Sequence, residues 1–83
     1  MDYLLIAQRL GQQTREHRLN SGLTQAGLAD IAGLPREKVI AVEKGSLTVG
    51  MAAYARILGA LDSELAVAPA AMPTLEEVQG LFE

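Results

Sequence analysis

Residues 22–45 read GLTQAGLADIAGLPREKVIAVEKG, two short apolar-periodic runs separated by Gly33, Leu34 and Pro35. Glycine ends helices and proline cannot continue one, so this triplet divides the stretch into two helices of about ten residues or fewer. Helices that short are marginal in water, and only packing against other elements can hold them. The stretch therefore demands a compact helical surround. The second run also crowds Arg36, Glu37, Lys38 and Glu43 into little more than two turns.

The rest of the chain supplies such a surround. From Asp2 to Asn20, Ile6, Leu10, Thr14 and His17 recur at three- and four-residue spacing, which predicts a first helix stopped by Asn20, Ser21 and Gly22. Thr24 is placed to cap a second helix through Ala32, with Leu28, Ala29 and Ala32 facing inward and Gly33 closing it. Pro35 suits the first turn of a third helix, where its missing N–H is no loss. Val39 and Val42 make that helix's inner stripe and Gly45 ends it. Gly50 opens a fourth, in which Met51, Tyr54, Ile57, Leu58 and Leu61 have core spacing. The expected fold class is all-α, a small bundle of four to five helices, occupying residues 1–61.

After Leu61 the character changes. The run SELAVAP alternates Leu65 and Val67 with smaller or polar neighbours and stops at Pro69, which reads as a short strand. A lone strand leaves its backbone unsatisfied, so Leu65 and Val67 are expected at a dimer interface, paired with a second copy. Residues 62–83 are taken as a C-terminal extension. Its end, TLEEVQGLFE, has Thr74 and Glu77 at capping-box spacing and is open between a short helix and a frayed tail.

Composition narrows the function. The 83 residues make one small domain, without cysteine and with a single histidine. No thiolate or His-rich metal site can form, so no metal or cofactor is expected. Catalysis lacks its parts: there is no cysteine nucleophile, no glycine-rich phosphate loop, and serine occurs only at turns or linkers. No apolar run nears the roughly 18 residues of a membrane span, and MDYLLIAQRL lacks the features of a leader, so a soluble cytoplasmic protein is expected. The formal charge of −3 hides an asymmetry: residues 1–61 hold all seven Arg and Lys against five acids, whereas residues 62–83 hold five acids and no base. A basic face on the helical part is compatible with a polyanionic partner, with the acidic tail lying away from it.

A helix, a sharp glycine-containing turn and a second helix inside a small bundle is the helix-turn-helix order. The sequence resembles the Xre, Cro and phage-repressor type of helix-turn-helix transcription regulators, with a lambda-repressor-like fold. The resemblance rests on Arg18, Gly22-Leu23-Thr24-Gln25, Leu28-Ala29, Gly33-Leu34, Val39, Val42-Glu43, Lys44-Gly45 and the string from Val49 to Leu61. It implies a regulator of double-stranded DNA acting as a homodimer, with the second helix of the motif in the major groove. Arg36, Glu37, Ile40 and Ala41 would read bases: a guanidinium matches guanine O6 and N7, a carboxylate accepts from a cytosine amine, and apolar groups touch a thymine methyl. Thr24, Gln25, Lys38, Lys44, Ser46 and Thr48 would contact phosphates. Arg18 and Glu43 match a structural ion pair tying the first helix to the end of the third. The C-terminal region further resembles small antitoxins that repress their own promoter and bind a toxin, which would add a toxin or other protein as partner.

The sequence departs from that family at Gly27, where a polar helix former is usual, at Pro35, where Ser or Thr usually caps, and at Ala41, which offers no hydrogen bond. Simpler readings stand beside the functional ones. The charges of the third helix could be a solvated face, His17 half-buried packing, and Leu4, Leu5 and Ile6 either core cover or a subunit contact. A helix-turn-helix scaffold serving only protein interaction is the rival function, favoured by Gly27, Ala41 and the acidic balance.

Overall fold

A computed structural model describes residues 2–69, and the capping-box segment at 74–83 lies outside them. Four helices follow in chain order: α1 Tyr3–Asn20, α2 Gln25–Ala32, α3 Arg36–Glu43 and α4 Met51–Ala60. The described residues form an all-helical bundle. Asp2 caps α1 by accepting from the Leu4 N–H at 3.0 Å, and Thr24 caps α2 by accepting from the Gly27 N–H at 2.9 Å.

All four helices end in the same way. In each, a residue with left-handed backbone donates its N–H to a carbonyl three residues back, and the next residue donates five back. The closing pairs are Gly22 N–H to Leu19 and Leu23 to Arg18, Gly33 to Asp30 and Leu34 to Ala29, Gly45 to Val42 and Ser46 to Ala41, Asp62 to Gly59 and Ser63 to Leu58. These satisfy the orphan carbonyls of a helix end. Three of the left-handed residues are glycine, with φ between 72° and 80°; the fourth is Asp62 at φ 56°, one of the few side chains that tolerates this region.

α3 is the keystone, packing on each of the other three helices. Leu28, Val39, Val42 and Ile57 are fully buried at the centre, joined by Ala29, Ala32, Tyr54 and Leu61. α1 contributes little apolar burial. Its buried positions are Gly11, Thr14 and Arg18, with the Thr14 hydroxyl donating to the Leu10 carbonyl at 2.8 Å. Gly11 is buried for a steric reason: a Cβ there would lie 2.5 Å from the Val42 oxygen and 2.7 Å from the Glu43 oxygen, so α1 meets the end of α3 backbone to backbone.

Several expectations are corrected. Met51 is exposed because it opens α4, before the helix has turned its inner face to the core. His17 is exposed rather than half-buried, since the buried face of α1 runs through Gly11, Thr14 and Arg18 instead. Pro35 is not in the first turn of α3 but is its N-cap, with φ −64° and ψ 148°. Residues 63–69, expected to form a strand only by pairing with a second copy, have no ladder among the described residues, and both Leu65 and Val67 are exposed. They run beside α1, with which they enclose a groove lined by Ile6, Leu10, Leu58 and Leu65.

The glycines of the helices predict opposite outcomes for one substitution. Gly11→Ala should destabilise the fold by about 1–3 kcal/mol, because α3 must shift to admit the methyl. Gly59→Ala, where a Cβ would meet nothing within 4 Å, should stabilise it by about 0.5–1 kcal/mol through helix propensity. Urea unfolding of the two variants checks the signs.

Candidate nucleic-acid interface

The site begins with a buried ion pair. Arg18, near the end of α1, donates from Nε to Glu43 Oε2 at 2.6 Å and from Nη2 to Glu43 Oε1 at 3.1 Å, while Nη1 donates to the Leu23 carbonyl at 2.8 Å. Gln25 Nε2, at the start of α2, adds a bond to the same Glu43 Oε1 at 3.2 Å. Only 7% of the Arg18 side chain and 3% of the Glu43 side chain is exposed. One carboxylate thus joins the end of α1, the start of α2 and the last turn of α3. A bidentate guanidinium fork fixes orientation as well as distance.

That clamp sets the attitude of α3. Val39 and Val42 are pinned in the core, so Arg36, Glu37 and Lys38 stand exposed on its first turn, with Ile40 and Ala41 half-buried one turn on. Pro35 gives α3 no side-chain cap, and among the described residues no acceptor meets the backbone N–H of Arg36 or Glu37. The helix start therefore presents backbone donors without a protein acceptor among the described residues, together with a guanidinium. A cation at the positive end of a helix is unfavourable by a few tenths of a kcal/mol to about 1 unless an anion joins it. Arg36 also lines one shallow concavity with Thr24 and Gln25.

The other sequence-selected residues follow α3. Lys44 is its exposed C-cap residue, where a cation is favourable. In the next loop Ser46 Oγ lies 3.1 Å from Thr48 Oγ1 and accepts from the Thr48 N–H at 3.2 Å. Tyr54 of α4 holds this loop by donating its hydroxyl to the Ser46 carbonyl at 3.0 Å. Burial raises the Tyr54 phenol above its ordinary value of 10.0, so it keeps the proton it donates. Gly45, with φ 80°, brings the loop against α1, where a Cβ would lie 2.9 Å from the Gln8 Cα.

Sequence reasoning missed three contributors. Gly11 and Gly45 seat α3 and its following loop against α1; an interior glycine in an otherwise helical run was the available signal for the first. Arg56 of α4 lies over the turn of the motif, its Nη1 3.3 Å from where a Gly33 Cβ would be, and nothing in the spacing of α4 pointed there. Among the described residues no cluster of three His, Cys, Asp or Glu side chains is placed to hold a metal, and no helix is long and apolar enough to cross a membrane.

The turn geometry defines a helix-turn-helix: a helix closed by a left-handed glycine, a two-residue link, and a second helix with a charged, exposed first turn. No protein-family model matches the chain. It is 44% identical over 50 residues to an uncharacterized HTH-type transcriptional regulator of Methanothermobacter thermautotrophicus, a match covering 60% of this chain and 72% of the relative. The chain belongs to the HTH-type transcriptional regulators.

Two measurements test the clamp and the loop. Glu43→Ala leaves the Arg18 charge buried and unpaired, and should cost about 3–5 kcal/mol of stability in urea unfolding. For Tyr54, the raised pKa means that the unfolded chain gives up this proton first. Stability should be intact below pH 10 and fall as pH rises past it, and Tyr54→Phe should lose less over that window.

Proposed function

We propose that this protein is a sequence-specific DNA-binding transcriptional repressor that acts as a homodimer on an inverted repeat. The observation that carries this reading is the exposed Arg36–Glu37–Lys38 turn on a helix whose orientation is locked by the Arg18–Glu43–Gln25 clamp. A solvated face needs no such locking, whereas base reading requires side chains delivered at a fixed angle.

In this reading α3 enters the major groove. Arg36 reads a guanine bidentately, Glu37 accepts from a cytosine amine or orients Arg36, and Ile40 and Ala41 touch a thymine methyl. Phosphates are met by Lys38, Lys44, Ser46 and Thr48, and by Thr24 with the free amide hydrogen of Gln25; these set position rather than sequence. A phosphate beside Arg36 also removes the cost of a cation at the start of α3. Leu65 and Val67 pair between copies, placing two reading helices about one helical turn, roughly 34 Å, apart. The C-terminal region resembles small antitoxins, and in that subclass the protein would repress its own promoter and bind a toxin.

The rival is a protein-interaction module on the same scaffold, favoured by the hydrogen-bond-poor Ala41 and the acidic residues after Leu61. Salt separates the two, because each phosphate contact releases counterions and steepens the loss of binding as salt rises.

Selection of bound sequences from a random duplex pool at moderate salt should return an inverted repeat. Arg36→Ala should relax preference at one base pair per half-site by about 1–3 kcal/mol, while Lys44→Ala should weaken all sequences alike. No enrichment at any salt would overturn the reading in favour of the interaction module.

A further inference from the structure

The groove between α1 and residues 63–69 has about 790 Å³ of space; the apolar part of its lining, with Ile6, Leu10, Leu58, Leu65 and Ala66, outweighs the polar part, to which Arg9, Gln13, His17 and Glu64 belong. Its buried hydroxyl, Thr14, is already committed to the Leu10 carbonyl. Such a surface suits an apolar side chain better than a polar small molecule. Beside it stands Val67, which does not line the groove and is fully exposed. Among the described residues, no backbone hydrogen bond reaches residues 64–69 from the rest of the chain.

We propose that Val67 of one copy inserts into the α1 groove of a second copy, and the reverse, so that Ile6 and Leu10 of α1 form the receiving half of the dimer interface. A two-fold contact requires the same patch to be complementary to itself. Here the projecting side chain and the cavity lie on one surface, a few residues apart, next to backbone that has no hydrogen-bond partner among the described residues. Burying Val67 and the half-exposed Ile6 removes apolar surface from water while the backbone of residues 64–69 in each copy pairs with the other. This deepens the homodimer reading above, on which it rests: pairing of the segment alone would leave Ile6 in water.

The absence of cysteine makes the contact directly readable. Full-length Ile6→Cys and Val67→Cys proteins, one carrying a mass tag, are mixed, allowed to exchange and treated with a short bismaleimide. A covalent heterodimer is expected as the main product; Ile31→Cys, an exposed position on α2 outside the groove, mixed with Val67→Cys should give little. Ile6→Asp and Val67→Asp should each raise the dimer dissociation constant at least tenfold by light scattering with helicity unchanged. A dimer that forms normally without the Ile6–Val67 product, and that Ile6→Asp does not weaken, would overturn this inference and leave the homodimer standing. A dimer that survives truncation after Leu61 would overturn this inference and the pairing of Leu65 and Val67, and a protein that is monomeric at every concentration would overturn the homodimer as well.

Discussion

The Arg18–Glu43 pair is the interaction on which the rest of this structure depends. Two eight-residue helices cannot stabilise themselves, and the apolar core around them, made of Leu28, Ala29, Ala32, Val39, Val42, Tyr54, Ile57 and Leu61, limits how they lie without fixing it. Apolar contacts are non-directional. A carboxylate that accepts three hydrogen bonds from two elements, with its cation held also by the Leu23 carbonyl, leaves one arrangement. Such a buried pair is weak evidence for net stability, because desolvation offsets much of its attraction. What it supplies here is direction, and direction is what an exposed reading surface needs.

The same logic explains why α1 meets α3 through glycine. The pair has side chains of fixed reach, so the end of α3 must come close to α1, and at Gly11 only a hydrogen fits between them. Gly45 repeats the arrangement one turn further, and Tyr54 then holds the loop from the other side. Steric allowance, charge pairing and a single phenolic hydrogen bond act on one short piece of chain, residues 42–48. The surface that carries Lys44, Ser46 and Thr48 is thus held by α1 on one side and by Tyr54 on the other.

Much of this was legible in the residues. Gly22, Gly33 and Gly45 marked helix ends because a left-handed residue is cheapest as glycine, and Thr24 marked a start because its hydroxyl can accept from the next turn. The inner stripes of α2, α3 and most of α4 followed from period alone. Failures came where period was not the deciding term. Met51 has core spacing but precedes the turn at which α4 meets its neighbours. His17 fitted a helical repeat, but the buried face of α1 is set by Gly11, Thr14 and Arg18, chosen for closeness and bonding rather than hydropathy. Positions of the exposed charges on α3 were readable from Val39 and Val42; what those charges meet is not encoded in spacing.

The closing turn of α4 bears on more than helix termination. Ser63 is bonded to Leu58 through its backbone, so the chain leaves the bundle in a fixed direction before any pairing segment begins. In a two-fold assembly built through that segment, the distance between reading surfaces would be inherited from α4 through a single rigid corner. The left-handed residue at that corner is aspartate and not glycine. A change at position 62 would act as an adjustment of calliper width, altering which spacing of half-sites the pair can span while leaving every side chain of α3 as it is.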